Sequence, residues 1–186
     1  MAADGRRIPY RMRHSQGAQW DFMLIQPVAN FSDYFGVKTQ SLEAAFRSEV
    51  AKLADFEEDW LVSGPAHQDV KDAYSGTGMF LVEMFRARAG MKAALADSRV
   101  RENGVLEAIG IPPNFVFVGE FGADWDVMTI GFHESLATYA AAGSETSAED
   151  GDKAARDFGF QAMGTLAPEL RELLTQHSDT IARALN

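Results

Sequence analysis

A histidine near the C-terminus of the chain has surroundings that suit proton transfer. His177 falls on a stripe of leucines that recurs every three or four residues from Leu166 to Leu185, which predicts one apolar helix over this range. A neutral imidazole on such a stripe can act as a general base or bind an iron as its axial ligand. A core histidine that hydrogen-bonds a backbone carbonyl would give the same pattern, so both interpretations stay open.

Glu83 is the second residue whose surroundings suit proton transfer. It lies between Leu81 and Phe85 on one face of an alternating segment that predicts a strand. Burial on that face would raise the pKa of the carboxyl group toward a value useful in catalysis. The structural alternative is an ion pair with an arginine such as Arg11 or Arg13.

Two tryptophan–aspartate pairs follow predicted glycine turns. The pairs are Trp20 with Asp21 and Trp125 with Asp126. The two indoles could form the walls of a cavity for a flat ligand, and Asp126 could line its mouth. The alternative is that the indoles pack within the sheet while the aspartates hold the turns through side-chain to backbone hydrogen bonds.

Polar residues on a predicted helix and the remaining histidines complete the candidate set. Arg99, Glu102 and Asn103 share one side of that helix and could bind a polar group of a ligand, or simply form a solvated face. His133 is an alternative to His177 as a haem ligand. We predict no metal site, because the histidines are far apart in the sequence and form no HxxxH or HxH pair. They are His14, His67, His133 and His177.

A repeated block predicts two hairpins that would position these residues. Gly17–Ile25 and Gly122–Ile130 share six of nine residues, including a tryptophan. Each block follows an alternating segment, so each predicts a strand, a turn at the glycine and a second strand. We interpret the repeat as a duplicated unit over about residues 7–36 and 112–141. The first strands are expected at about Ile8 to His14 and Phe115 to Phe121.

The spacing of apolar residues, glycines and prolines predicts the other elements. We expect a long helix, a strand, a helix that ends at Gly110, a short helix, a mobile acidic loop and a last helix. In that order they cover about Thr39 to Leu61, Phe80 to Gly90, Met91 to Ile109, Glu134 to Ala142, Gly143 to Lys153 and Leu166 to Leu185.

The pattern of Trp125 to Phe132 indicates how the sheet is covered. Both faces of this predicted strand are largely apolar, whereas a sheet with one wet face would alternate apolar and polar residues. Helices can cover one face, and a second subunit would cover the other. We therefore expect a single α+β domain over residues 1–186, with an antiparallel sheet and helices on one face, that forms a homodimer.

The composition excludes several classes of partner and site. The formal net charge of −10 and the pI near 4.8 disfavour nucleic-acid binding. The absence of cysteine removes disulfides, zinc–thiolate sites and iron–sulfur clusters. No stretch approaches the roughly 18 apolar residues of a membrane span, and the start has no apolar leader, so a cytoplasmic protein is expected.

The order strand, helix, strand, strand, helix over Met79 to Ala142 resembles the ferredoxin-like unit of the dimeric α+β barrel superfamily. The segment Trp125 to Tyr139 is similar to the third strand and following helix of that unit. The superfamily includes antibiotic-biosynthesis monooxygenases, stress-responsive A/B barrel proteins and NIPSNAP-type proteins. This resemblance implies a small pocket inside a barrel.

Three functions are expected from these observations. The first is the binding of a small apolar or aromatic molecule, with oxidation, isomerisation or cyclisation that needs no cofactor and uses His177 or Glu83 to move the proton. The second is haem binding through a histidine. The third is an oligomeric module that has no catalytic function.

Overall fold

A computed structural model describes residues 9–17, 20–55 and 57–185. Its seven strands are β1 (Tyr10–Gln16), β2 (Phe22–Ile25), β3 (Leu61–Ser63), β4 (Met79–Ala87), β5 (Phe115–Phe121), β6 (Val127–His133) and β7 (Leu174–Ala184). Its helices are α1 (Phe31–Tyr34), α2 (Val37–Val50), α3 (His67–Tyr74), α4 (Lys92–Ala108), α5 (Leu136–Ala141), α6 (Ala148–Asp157) and α7 (Leu166–Leu173), with a 3₁₀ turn at Met163–Thr165.

The strands form one sheet whose centre has the ferredoxin-like arrangement. The strand order is β2-β1-β7-β4-β6-β5-β3, and β4 pairs antiparallel with both β6 and β7. The segment β4-α4-β5-β6, followed by helices and then β7, places its four strands in the order β7-β4-β6-β5, as in a β-α-β-β-α-β unit. The predicted α+β class, with a ferredoxin-like antiparallel sheet and helices on one face, is confirmed.

The residues fall into two compact units. The smaller unit comprises Leu24–Asp59 and the segment that ends at Tyr10. The larger unit comprises Arg11–Met23 and Trp60–Asn186 and contains most of the sheet. The expectation of a single domain over the whole chain stays a prediction.

Helix α2 of the smaller unit is shorter than expected. The predicted helix ran from Thr39 to Leu61, but the helix ends at Val50, and the amide of Ala54 closes a last turn on the carbonyl of Val50 at 2.9 Å. The extension to Leu61 is therefore wrong, because Leu61 belongs to β3 of the larger unit.

Apolar side chains cover both faces of the central strands. On one face, Phe85 and Val127 pack against Leu95 of α4 and Leu170 of α7. On the other face Phe80, Val82 and Ile130 are fully buried, and the ring of Tyr74 from α3 stacks on Phe80. The prediction that both faces of the sheet are covered agrees with this burial, whereas the homodimer stays a prediction.

The middle elements of the chain follow the sequence pattern closely. β4, α4 and α5 occur within a few residues of their predicted bounds. Helix α4 ends as expected at Gly110, whose φ of +76° only glycine adopts readily. The amide of Ile111 then reaches back to the carbonyl of Leu106 at 2.8 Å and closes the helix end.

The segment from Gly143 to Lys153 is not a loop throughout, and that prediction is wrong from Ala148 onward. Helix α6 begins there because the Ser147 hydroxyl accepts the amide hydrogen of Asp150 at 3.1 Å, which caps the helix. The helix is anchored by Ala155, which is fully buried in the same cluster as Val105 of α4.

The last predicted helix is wrong in its second half. Helix α7 ends at Leu173, and residues Leu174–Ala184 form β7 at the centre of the sheet. The leucine spacing is compatible with a helix over the whole range, but pairing with both β1 and β4 overrides that local preference. His177 therefore lies on a strand.

The two repeated blocks each contain a glycine turn next to strands. Gly17 and Gly122 have φ values of +119° and +84°, and they lie between β1 and β2 and between β5 and β6. Strand β2 is short, and its Phe22 is 57% exposed, whereas β6 is buried almost throughout. The duplication stays a prediction, and its first residues, with Ile8 and the turn residues 18–19, lie outside the described part of the chain.

A membrane-spanning helix is not found among the described residues, since none of their helices is both long enough and apolar enough.

Candidate functional site

The sheet brings Glu83, His177 and Asp179 together on one face. Glu83 of β4 is opposite Asp179 of β7 and opposite Thr129 of β6, while Phe85 is opposite His177. Because alternate residues of a strand share a face, all five side chains lie on the face that α4 covers through Phe85. Three adjacent strands therefore position this polar group.

The imidazole of His177 lies between two carboxylates. Its Nε2 is 2.8 Å from Oδ1 of Asp179 and 3.5 Å from Oε1 of Glu83. The ring stacks on Phe85 with centroids 4.5 Å apart and planes 10° apart. The second oxygen of Glu83, Oε2, accepts a hydrogen bond from Oγ1 of Thr129 at 2.6 Å. Packing on one side and hydrogen bonds on the other thus fix both the ring and the carboxylate.

The protonation of these groups follows from their contacts. Burial opposes the charged form of Glu83, but hydrogen bonds from His177 and Thr129 outweigh it and lower the pKa of Glu83, so the raised pKa expected for this carboxyl group is wrong. The hydrogen bond to Glu83, together with the charge of Asp179, raises the pKa of His177 above its ordinary value. Partial burial raises the pKa of Asp179. Asp179 is closer to the imidazole, but its side chain is 60% exposed, so solvent weakens its effect relative to that of Glu83.

A buried ion pair from α4 borders the same group. The side chain of Arg99 is only 4% exposed, forms an ion pair with Glu102, and has its Cζ 5.4 Å from the centroid of Phe85. Burial lowers the pKa of Arg99 and raises the pKa of Glu102, and both groups feel the charge of Glu83. Within the described residues, Nε of Arg99 is buried without a hydrogen-bond partner. The arginine that acts on Glu83 is therefore Arg99, not Arg11 or Arg13 as expected.

A second imidazole lies further along the same face. His133 of β6 is 6% exposed, and burial lowers its pKa, so the ring is neutral at neutral pH. It contacts the ring of Tyr139 from α5 edge to face, with centroids 4.9 Å apart. Burial raises the pKa of Tyr139, and so do the charges of Glu83 and Asp179. The phenol therefore stays protonated beside the carboxylates.

Half-buried apolar side chains form a floor between these two groups. Leu81 is opposite Gly131 on β6 and opposite Ile181 on β7, in the row next to Glu83. Leu81 and Ile181 are half-buried, unlike the fully buried residues of the other face. We call the row Leu81, Gly131 and Ile181 the apolar floor. It offers a flat surface with polar groups at both ends.

The tryptophans and Asp126 have local partners. Trp125 packs edge to face on Trp60 at 5.4 Å, and Trp20 on His14 at 5.7 Å. Oδ2 of Asp126 accepts the amide hydrogen of Ala87 at 2.8 Å, which ties the start of β6 to the end of β4 rather than holding the glycine turn. Their predicted role in ligand binding stays a prediction.

Asn103 fixes the start of β5 from α4. Its side-chain Nδ2 donates to the carbonyl of Asn114 at 2.7 Å, and its Oδ1 accepts the amide hydrogen of Asn114 at 2.9 Å. The solvated face expected for this side of α4 is therefore wrong at Asn103, which ties two elements together.

Glu83, His177 and Asp179 are also the residues that could hold a divalent cation. One ligand atom from each lies within 4.8 Å of the others. An imidazole with two carboxylates is a donor set that such ions accept. The prediction of no metal site considered only histidine pairs, so it did not test this combination. The haem alternative also stays a prediction, which a titration followed at the Soret band would test.

Asp179, Thr129 and Tyr139 were missed by the sequence reasoning. Asp179 follows His177 by two residues, which places both on one face of a strand but on different sides of a helix. The strand-favouring residues Thr175, Thr180 and Ile181 were the signal that could have shown this.

A groove of about 290 Å³ lies between α7 and the start of β7, and His177 is one of its lining residues. Its lining includes Leu170 and Leu174. None of the residues of the apolar floor lines this groove.

No protein-family model and no curated protein matches this sequence. Among solved structures, the crystal structure of a protein described as anthrone oxidase-like has a TM-score of 0.54 with this chain at 9% sequence identity, over 99% of this chain and 80% of the other. At such low identity the likeness shows the fold alone. It agrees with the α+β barrel-like expectation, whereas the finer resemblance to NIPSNAP-type, stress-responsive and monooxygenase proteins stays a prediction.

Proposed function

We propose that this protein binds a small apolar or aromatic ketone over the apolar floor and removes a proton from a CH₂ group that its carbonyl group makes acidic. One observation carries the proposal: the carboxylates of Asp179 and Glu83, in the row that borders that floor, contact Nε2 of His177. A hydrogen-bonded carboxylate and imidazole form the base used in many acid–base catalysts.

The hydrogen bonds assign the atoms of the base. Asp179 accepts the hydrogen on Nε2 of His177, and a neutral imidazole in that tautomer has its lone pair on Nδ1. Nδ1 takes the substrate proton, and the electron pair of the broken C–H bond becomes the enolate. The negative charges of Asp179 and Glu83 stabilise the imidazolium that results.

The fate of the enolate decides the overall reaction. Return of the proton from His177 to a different atom of the substrate completes an isomerisation. In an oxidation, the enolate carbon adds dioxygen, the resulting peroxide anion takes the proton from His177, and the hydroperoxide then loses water, with cleavage of its O–O bond, to leave a second carbonyl group. Neither route needs a cofactor, and dioxygen is the co-substrate of the second.

The choice of an aromatic ketone has two supports. The half-buried Leu81 and Ile181 offer apolar contact for a ring. The structure with a TM-score of 0.54 is described as anthrone oxidase-like, and anthrone is an aromatic ketone with an acidic ring CH₂ group. We further propose that the protein acts as a homodimer close to the dimeric α+β barrel proteins, since its four central strands have the ferredoxin-like order expected from that resemblance.

The test is exchange of the ring CH₂ hydrogens of anthrone in D₂O under nitrogen, followed by NMR. We expect the wild-type protein to accelerate exchange, with a rate that rises with pH through a midpoint above the ordinary pKa of histidine. His177→Gln should abolish the acceleration. Asp179→Asn should slow it and move the midpoint to lower pH, because the loss of the charge at 2.8 Å makes the imidazole less basic.

Asp157→Asn is the matched control, since Asp157 is an exposed residue of α6 paired only with Lys153 among the described residues. It should exchange anthrone at the wild-type rate. Wild-type exchange in a folded His177→Gln variant, as judged by circular dichroism, would refute the role of His177.

A further inference from the structure

Gly131 is the one residue of the apolar floor without a side chain, and two polar groups occupy the space that this leaves. A Cβ added at Gly131 would lie 2.7 Å from Oδ1 of Asn114 and 2.7 Å from Nε2 of His133. Both atoms therefore converge over the backbone of β6, on the face that carries Glu83. A larger residue at position 131 would push them apart.

The direction of the His133 ring follows from this contact. Residues 133, 131 and 129 lie on one face of β6, and the ring of His133 leans over Gly131 toward Thr129. Alternate residues of a strand are about 7 Å apart, so Nε2 of His133 faces the row of Glu83 from roughly that distance. That distance matches the span of one aromatic ring and its substituents.

Asn114 is held rigidly from behind. Its amide and carbonyl groups are both bonded to the side chain of Asn103, which leaves the side chain of Asn114 directed to Gly131. Within the described residues, Oδ1 of Asn114 has no hydrogen-bond partner. A side-chain acceptor on an anchored backbone and a buried imidazole are thus both close to Gly131.

We propose that His133, Asn114 and Gly131 form a second polar subsite that binds a hydroxyl group of the substrate, at the end of the apolar floor away from His177. A hydroxyl can accept a hydrogen bond from Nε2–H of His133 and donate one to Oδ1 of Asn114. The proposal rests on the proposed function, because it places the same substrate over the apolar floor. The substrate class becomes an aromatic ketone with a hydroxyl substituent across the ring from its carbonyl group.

The neutral state of His133 supports a hydroxyl rather than an anion as the group bound. Burial keeps the imidazole uncharged at neutral pH, and the facing oxygen of Asn114 would repel a carboxylate. The carboxylates on this face are Glu83 on β4 and Asp179 on β7, whose charges act on Tyr139 beside His133. Two cations lie on the same face: Arg99 is paired with Glu102, and Arg183 of β7 is exposed in the row of Met79 and His133. The uncharged imidazole and the acceptor oxygen therefore carry the preference for a hydroxyl group.

The experiment compares the binding of 1-tetralone and 6-hydroxy-1-tetralone by titration calorimetry. These ketones differ only in a hydroxyl group across the ring from the carbonyl. We expect the wild-type protein to bind the hydroxylated ketone about tenfold more tightly, as one or two hydrogen bonds would give. Gly131→Ala should reduce this preference to about one, because its Cβ displaces both polar atoms.

Two further variants separate the subsite from a general loss of structure. Gly164→Ala is the matched control, because nothing lies within 4 Å of a Cβ added at Gly164, and it should keep the preference. His133→Phe keeps an aromatic ring of similar size but no hydrogen-bond donor, and it should lose the preference between the two ketones. His133→Phe decides the question if Gly131→Ala does not fold.

The outcomes distinguish this proposal from the proposed function. A preference for the hydroxylated ketone in a wild-type protein that fails to exchange anthrone would support the subsite and remove the catalytic role. If the wild-type protein exchanges anthrone but binds the two tetralones with equal affinity, the catalytic role is supported and the subsite is refuted. The subsite is also refuted if neither tetralone binds, or if the preference survives in both Gly131→Ala and His133→Phe.

Discussion

Replacing Glu83 by glutamine removes one charge beside His177 with almost no change of shape. The new amide oxygen can still accept the hydrogen bond that Thr129 now donates to the carboxylate at 2.6 Å. The interaction that is lost is the attraction between Glu83 and the imidazolium at 3.5 Å. At that distance the attraction is about 1 kcal/mol in bulk water and about 5 kcal/mol at an effective dielectric constant of 20.

The net loss of stability lies well below the upper figure. The side chain of His177 is 31% exposed and that of Glu83 is 17% exposed, so solvent screens the pair in part. The variant also no longer buries a carboxylate, which offsets some of the lost attraction. We therefore expect Glu83→Gln to lower the free energy of unfolding by about 1–2 kcal/mol where both partners are charged.

The pH dependence of this loss identifies its cause. The folded pKa of His177 is raised, so the stability it contributes is complete below the ordinary histidine pKa and is lost as pH rises through the folded value. The folded pKa of Glu83 is lowered, so its contribution is present above the ordinary carboxyl pKa and is lost as pH falls. The effect of Glu83→Gln should be largest at about pH 5.5, between the two ordinary values.

Urea unfolding at pH 5.5 and pH 9, followed by circular dichroism, measures the difference. The loss should be about 1–2 kcal/mol at pH 5.5 and distinctly smaller at pH 9, where the imidazole is neutral. In a protein that already carries His177→Gln, the addition of Glu83→Gln should cause the same small loss of unfolding free energy at both pH values. An equal loss at both pH values in the single variant would show that Glu83 acts through packing, and the proposed charge pair would be refuted.

Two further predictions concern the scaffold and the assembly. Asn103→Ala removes both side-chain hydrogen bonds to Asn114, at 2.7 and 2.9 Å, and should lower the free energy of unfolding by about 2 kcal/mol. The control Gln68→Ala, on an exposed helix face, should change it by less than about 0.5 kcal/mol. Urea unfolding measures both variants, and equal effects would contradict the role of Asn103. Static light scattering at micromolar concentration should give about twice the chain mass of 20.4 kDa, and a monomer mass would remove the homodimer.

The sequence predicted the parts of the fold whose local signals agree with their tertiary partners. Helix α4 has an apolar side and a terminal glycine, and β4 alternates toward a core on both faces, so the pattern alone defined them. Glu83 and His177 were chosen from their neighbours in the sequence, and the strand register then placed them 3.5 Å apart. Residue type and local pattern were sufficient to select these two residues.

The parts that could not be predicted depend on contacts between distant segments. Thr129 is 46 residues from Glu83, and its role exists only because β4 and β6 pair in one register. Nothing local to Gly131 indicates that Asn114 and His133 converge above it. Helix α6 was assigned to a loop because its polar composition outweighed the capping serine at Ser147.

The change from helix to strand at Leu174 decides the chemistry of the site. On a helix, residues 177 and 179 would be rotated by about 200° from each other, and their side chains could not meet. On β7 they share a face, and the imidazole of His177 reaches Asp179 at 2.8 Å. Because β7 pairs with β4, the same change also brings the pair to Glu83. A His-x-Asp sequence has no such geometry by itself, but on a central strand beside Glu83 the pKa of its imidazole is raised. The fourth strand of the ferredoxin-like unit is therefore the element that makes the site, and an insertion of one residue between Leu174 and His177 would turn both side chains to the opposite face.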